Sequence, residues 1–163
     1  MEMYVIMYLL TIVFANLIVT WFGPEIVIIN ALIFIGLDLT IRDKVHDAWK
    51  GEGLVWKMAG LIATGSILSF ILNRNAGPIA LASFVAFGSA AITDALVYHR
   101  LLNRPRLLRI NGSNIPAALV DSLIFPTLAF GSFMLPIVAG QFLAKTAGGF
   151  VWSLILSRWS HDG

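Results

Sequence analysis

The sequence predicts an all-α integral membrane protein of six transmembrane helices, with both termini on the cytoplasmic side. Three observations predict it. Of 163 residues, 58% are hydrophobic and 12% charged, with a mean hydropathy of +0.85; a soluble domain carries about a quarter charged residues. The apolar residues fall into six runs, each near the roughly 20 residues that cross a bilayer as a helix. The basic residues gather in the loops that six crossings would place on one face of the membrane. Twenty Asp, Glu, Lys and Arg cannot coat a soluble protein of this size, and the apolar excess excludes disorder.

The runs cover about residues 3–22, 25–41, 54–72, 79–98, 115–131 and 136–156, in a single transmembrane domain over residues 1–163. Gly23-Pro24 closes the first. The charged stretch Arg42 to Lys50 ends the second, and Asn73-Arg74-Asn75-Ala76-Gly77-Pro78 is a strong turn signal after the third. The basic loop Arg100 to Arg109 comes after the fourth. Asn111-Gly112-Ser113-Asn114 offers caps for the fifth, with Pro116 near its first turn, where proline is tolerated. The N-terminus, Met1-Glu2-Met3-Tyr4, lacks the positive region of a cleavable signal peptide, so the first run is expected to be a retained span.

Six crossings place Arg42, Lys44, Lys50, Lys57, Arg100, Arg104, Arg106, Arg109 and Arg158 on one side and Arg74 alone on the other, with Lys145 inside the sixth span. By the positive-inside rule both termini are cytoplasmic. Small residues recur every four positions at Ala82, Ala86 and Ala90, at Gly140, Ala144 and Gly148, and at Ala59 and Ala63, a spacing that lets helices approach closely in lipid. Next to carboxylates the same alanines are candidates for leaving a recess.

Ionisable groups within spans are costly, about 2.5–3.5 kcal/mol at the bilayer centre, and mark functional sites. Here they are Asp38, Asp94, Asp121 and Lys145, with Asn16, Asn30, Thr93, Ser122 and Gln141 as neutral companions. Counted from the span ends, Asp38, Asp94 and Asp121 lie about 6, 9 and 10 Å below the cytoplasmic edge, one layer on three helices. Asn16 and Asn30 fall in the outer half and Lys145 near the middle. Asn30, Phe34, Asp38 and Arg42 share one stripe; so do Ala86, Ala90, Asp94 and Tyr98, and Ala117, Asp121 and Phe125 with Asn114 nearby. Convergent carboxylates with aromatic walls suit a planar, donor-rich heterocycle, because a carboxylate accepts two N–H bonds from one ring edge. Structural alternatives stand beside each: Asp38 pairing with Arg42, Asp94 with Lys145, Asp121 with Asn111 or Ser113, and His99 as an interfacial residue.

Chemistry is nearly excluded. The chain has no Cys, and no P-loop, G-x-S-x-G, H-E-x-x-H or G-x-G-x-x-G. His46, His99 and His161 lack metal-ligand spacing. The reading is therefore a non-enzyme with no cofactor, no metal and no nucleic-acid partner. Its partners are the lipid bilayer and a small planar heterocycle, with a homodimer or an energising partner left open.

The chain resembles the queuosine precursor transporter family, the VUT family of vitamin-type uptake transporters. Ala15-Asn16-Leu17 is similar to an early A-N-L in that family, and Leu37-Asp38-Leu39-Thr40 to its acidic second-span terminus. Ala82-Ser83-Phe84 through Asp94-Ala95-Leu96-Val97-Tyr98-His99-Arg100 resembles its A-S-x…D-x-x-x-F-H-R segment. Asn111-Gly112-Ser113 through Val120-Asp121-Ser122-Leu123-Ile124-Phe125 resembles N-N-x-S…D-[ST]-x-[IV]-F. The chain departs from the family at Ala91 and Ala118, where Gln is usual, and at Arg42, where Glu is usual.

The resemblance implies six helices, with a bundle like that of an ECF S-component as one arrangement. It also implies import of 7-cyano-7-deazaguanine (preQ0) or a related 7-deazaguanine across a bacterial plasma (inner) membrane. By this match Asn16, Asp38, Asp94, His99, Asn111, Ser113, Asp121 and Ser122 carry over. The combined expectation is that Asn16, Asn30, Asp38, Asp94, Tyr98, Asn114, Asp121 and Phe125 bind substrate, and that Arg42, His99, Asn111, Ser113, Ser122 and Lys145 gate or couple. The alternatives are a binding subunit for another vitamin or nucleobase-like solute, and a structural or hole-forming membrane protein whose charges hold helices together.

Overall fold

The computed structural model describes residues 2–38, 41, 42, 45, 49 and 53–159, and among them every regular element is helical. Helix α1 runs Glu2–Phe22. Gly23, at φ 69°, and Pro24 then break the α geometry into a 3-10 turn, Gly23–Ile26; only glycine takes such a left-handed conformation without strain. Helix α2, Val27–Asn30, continues into a π segment, Ala31–Ile35, and a further helical turn at 36–38. A straight helix would put Thr11 and Asp38 about 40 Å apart. Instead the Thr11 Oγ1 hydroxyl lies 3.4 Å from Asp38 Oδ1, and the Phe14 and Phe34 rings stack at 6.4 Å. The first two legs are thus an antiparallel hairpin.

Helix α3 spans Leu54–Leu72. Asn73 caps the next 3-10 turn, Arg74–Ala76, by accepting a hydrogen bond from the Asn75 backbone N–H at 3.0 Å. Helix α4 is Gly77–Arg100, with Pro78 in its first turn. Helix α5 covers Arg106–Phe130 and ends at Gly131, φ 68°. Helix α6 covers Leu135–Trp159.

The fifth helix starts at Arg106 rather than at Ile115, which corrects the expected cap at Asn111-Gly112-Ser113-Asn114. The break comes at Pro105, whose ψ of 146° is extended, and the four poor helix formers lie inside the helix. Packing overrides their propensity. Helices α4 and α5 form the most extensive helix pair among the described residues. A Cβ on Gly112 would stand 2.8 Å from Leu101 Cδ1, and Ser113 is fully buried.

Polarity is arranged inside out. Trp21, Phe22, Trp56, Ile71, Leu81, Ile92 and Leu143 are exposed, whereas Asn16, Asn30, Asp38, Asp121, Gln141 and Lys145 are buried. Glu2–Asp38, Arg74–Arg100 and Gly112–Phe130 are long and apolar enough to cross a membrane, and Trp56–Leu72 is a shorter apolar helix. The interior has layers. Tyr8, Ile12, Ile41, Val45, Met58 and Ile62 form one apolar cluster, and Val19, Val27, Ile79, Ala82, Ala86 and Phe125 another. Asn16 falls between them on α1.

The glycines of α6 set its approach to the second leg. A Cβ on Gly148 would collide with the Leu32 carbonyl and the Gly36 backbone, while around Gly88 of α4 nothing lies within 4 Å. Backbone cannot yield as a side-chain tip can. Gly148→Ala is expected to destabilise the protein by about 1–3 kcal/mol, as overpacking does. Gly88→Ala is expected to stabilise it by about 0.5–1 kcal/mol through helix propensity. Thermal unfolding in detergent measures both, and opposite signs are the expected result.

Candidate functional site

Five helical segments converge on one small buried cavity. It is lined by Ala15 and Asn16 from α1, Asn30 and Ile35 from the second leg, and Ser83 and Phe87 from α4. Asp121 and Phe125 come from α5, and Gln141 and Lys145 from α6. The open space is about 10 Å3, close to the minimum for a single water molecule. The site is closed.

An ion pair crosses its floor. Lys145 Nζ stands 2.6 Å from Asp121 Oδ2, with the two side chains 2% and 7% exposed. Gln141, one turn earlier on α6, accepts a hydrogen bond from the same ammonium at 3.4 Å. Opposite lies an amide hub. Asn16 Nδ2 donates to Ser69 Oγ at 3.1 Å, and Ser83 Oγ donates to Asn16 Oδ1 at 2.6 Å, tying α1, α3 and α4 together. Asn30 Oδ1 is buried and accepts no hydrogen bond among the described residues. Phe87 and Phe125 add flat apolar walls.

Several acceptors here are left without a donor. Asp121 retains Oδ1, Asn30 Oδ1 has no donor, and Ser83 has committed its only proton to Asn16, leaving lone pairs. A buried acceptor without a donor costs about 1–3 kcal/mol, so a donor-rich ligand entering this space gains what the closed state forgoes.

The sequence-derived residues separate into groups. Asn16, Asn30, Asp121, Phe125 and Lys145 meet at the cavity. Asp38 is 2% exposed but sits beside Thr11, one turn beyond Tyr8 on α1, and Arg42 is half-buried; both are outside the cavity lining. Asp94 is half-buried on α4, outside the cavity lining, and its Oδ1 is shielded with no hydrogen-bond partner among the described residues. It lies eleven residues beyond Ser83, which is the same helix face about 16 Å nearer Arg100. Tyr98 and Asn114 are half-buried, His99 is exposed, and Ser113 and Ser122 are fully buried, all of them outside the cavity lining. The side chain of Asn111 lies outside the described residues.

The three carboxylates therefore do not share one layer. Asp121 lies fifteen residues beyond the true start of α5, Arg106, about 22 Å of helix. That depth brings it level with Lys145. The alanines beside Asp94 pack rather than leave a recess: Ala86 is fully buried in the cluster of Val19, Val27 and Phe125, and Ala90 is 5% exposed. Ser83, Phe87 and Gln141 were not expected as lining residues. Ser83 and Phe87 are one turn apart on a face adjacent to the alanine stripe, and Gln141 precedes Lys145 by one turn; that spacing was the available signal.

A small polar centre with a buried ion pair thus lies inside helices whose outer surfaces are apolar. The family model described as "Putative vitamin uptake transporter" (Vut_1) matches residues 2–157, and the chain belongs to that family of membrane transporters. No curated protein and no solved structure matches it.

Removing one member of the ion pair leaves the other buried and unpaired. Asp121→Asn and Lys145→Met are each expected to cost about 3–5 kcal/mol of stability. The double variant is expected to recover most of that loss, because the surviving charge is then removed as well. A double-mutant cycle by thermal unfolding in detergent checks it, and additive losses would mean that the pair is uncoupled.

Proposed function

We propose that the chain imports a queuosine precursor, 7-cyano-7-deazaguanine or a related 7-deazaguanine, by alternating access. The observation that carries this reading is the acceptor-rich centre formed by Asp121, Asn30, Asn16 and Ser83 between Phe87 and Phe125. A guanine-like base is flat, fits between aromatic walls, and presents several N–H donors along one edge. A carboxylate accepts two of them side by side, so Asp121 is the principal binding group.

In this mechanism the base competes with Lys145 for Asp121. The closed cavity has no room for a ring, so binding requires the α5 and α6 faces to part. Donors of the base then replace the ammonium at the carboxylate, and Lys145 turns to Gln141 or to the ring carbonyl. Exchange of one charge-assisted partner for another keeps the carboxylate satisfied throughout, which avoids the cost of a bare buried charge. Asp38 and Arg42, and Asp94, Tyr98 and His99 toward the Arg100 end of α4, line the route between cavity and cytoplasm. Ser113 and Asn114 belong to the α5 wall of that route. The chain sits in a bacterial inner membrane with six crossings and both termini in the cytoplasm.

Two experiments test this. In cells that cannot make the base but can insert it into tRNA, expression of the chain is expected to restore queuosine at limiting external base, and Asp121→Ala to abolish the rescue. Purified protein in liposomes that takes up none of these bases would end the substrate assignment. Orientation is read separately. The chain has no native Cys, so Asn75→Cys is expected to react with an impermeant maleimide from outside intact cells and Arg104→Cys only after lysis.

A further inference from the structure

The sequence has six prolines, and four of them stand where helical elements begin. Pro24 is in the first 3-10 turn, Pro78 and Pro136 are in the first turns of α4 and α6, and Pro105 immediately precedes α5. The other two, Pro116 and Pro126, are inside α5. Pro116 lies ten residues beyond Arg106, far from the first turn, where a helix takes proline without loss. Asp121, the carboxylate of the ion pair, is midway between them, five residues from each.

Proline carries no N–H. Pro116 therefore gives the Gly112 carbonyl, and Pro126 the Ser122 carbonyl, no bond of the kind that continues an α-helix. The second position is the weaker. Ser122 is fully buried, and its Oγ has no hydrogen-bond partner among the described residues. Thr127 Oγ1 donates back to the Leu123 carbonyl at 2.7 Å, a bond that slightly destabilises a helix. Beyond Pro126 comes Phe130, which packs edge-on against Phe125, a wall of the cavity, with ring centres 6.4 Å apart. The facing helix does not yield in this way. After Pro136, α6 has no proline. It is seated tightly on the second leg, where a Cβ on Gly140 would collide with Ile28 and one on Gly148 with the Leu32 backbone.

We propose that Pro116 and Pro126 are two hinges, one for each side of the membrane. Bending at Pro126 carries Phe130 off Phe125 and opens the cavity outward. Bending at Pro116 swings residues 106–115 aside and opens it to the cytoplasm. The run between them, residues 117–125, stays helical and keeps Asp121 at one depth in both states. A bend at either proline gives up no backbone hydrogen bond that a straight helix would keep, which is why helices kink at such positions. The proposal rests on the reading of the chain as an alternating-access carrier and is independent of which solute it takes.

The test uses Ile35→Cys, a single thiol in the cavity wall of a chain without native Cys. Its rate of reaction with an impermeant maleimide is measured from outside in intact cells and from the cytoplasmic face in inverted vesicles, with no substrate added. In the otherwise native chain the thiol is expected to react from both sides. Pro126→Ala, which restores one backbone hydrogen bond, is expected to slow the outside reaction about fivefold and to leave the cytoplasmic rate within about twofold. Pro116→Ala is expected to do the reverse. Both are expected to raise the melting temperature in detergent, since alanine is the better helix former. Should Pro126→Ala not fold, Thr127→Val removes the back-bond at the same hinge and is expected to slow the outside reaction alone, by about twofold. Equal changes from both sides, or no change in folded variants, overturn the hinges. So does an otherwise native chain whose thiol reacts from one side only or from neither. Sided losses in a protein that takes up no deazaguanine keep the hinges and end the substrate assignment.

Discussion

An ammonium and a carboxylate held 2.6 Å apart inside an apolar bundle set the terms for everything around them. Neither charge is tolerable there alone, and their attraction only roughly offsets the loss of water. The pair therefore adds little net stability while making its own geometry compulsory. It fixes α5 against α6 at the level of the cavity, with apolar clusters on either side along α1. Those clusters keep water away and so keep the interaction strong. A ligand that offers donors to Asp121 competes with an interaction of nearly balanced energy, which is what a carrier needs. A stronger bond would jam the closed state, and a weaker one would leave the chain without a defined empty state.

The second leg explains why Asn30 reaches this centre while its neighbours on the expected stripe do not. In a regular α-helix Asn30, Phe34 and Asp38 share one face. The π segment Ala31–Ile35 places an extra residue in that turn and rotates the residues after it. Phe34 stacks on Phe14 of α1, and Asp38 turns to Thr11 in the next layer. The π segment lies where α6 comes closest, since Gly148 packs directly on the backbone of Leu32 and Gly36. One irregular turn thus serves both the close helix contact and the separation of a cavity asparagine from a carboxylate two turns away.

Much of this was legible in the sequence. Hydropathy gave helices throughout, and Gly23-Pro24 and Asn73 to Pro78 marked reversals where the chain reverses. Ionisable residues inside apolar runs named Asp121 and Lys145, with Asn16 and Asn30 beside them, before any contact was known. The depth of Asp121 was not legible. Asn111-Gly112-Ser113-Asn114 has every local mark of a helix start, and only packing against α4 carries the helix through it. A wrong start moved Asp121 about one membrane leaflet toward the surface and grouped it with Asp38 and Asp94. The alanine stripe of α4 was ambiguous for a different reason. Small residues permit close packing and permit a recess equally well, and the choice is made by the helix opposite, which lies far away in the chain.

Charge and amide divide the labour at this site according to what each can distinguish. A carboxylate reads only donors, so Asp121 distinguishes rings by the N–H groups they set side by side. An amide has a donor end and an acceptor end, and it discriminates only while something stops it from turning over. In water nothing does. Within the bundle the restraint comes from Ser69, and the commitment of Ser69 comes from a backbone carbonyl one turn away on α3. The chain of bonds that begins at Gly65 and ends at the cavity contains no charge, so it has no counter-ion to find and carries no large desolvation cost. This anchoring is independent of the ion pair, because α1, α3 and α4 hold it, whereas the pair belongs to α5 and α6.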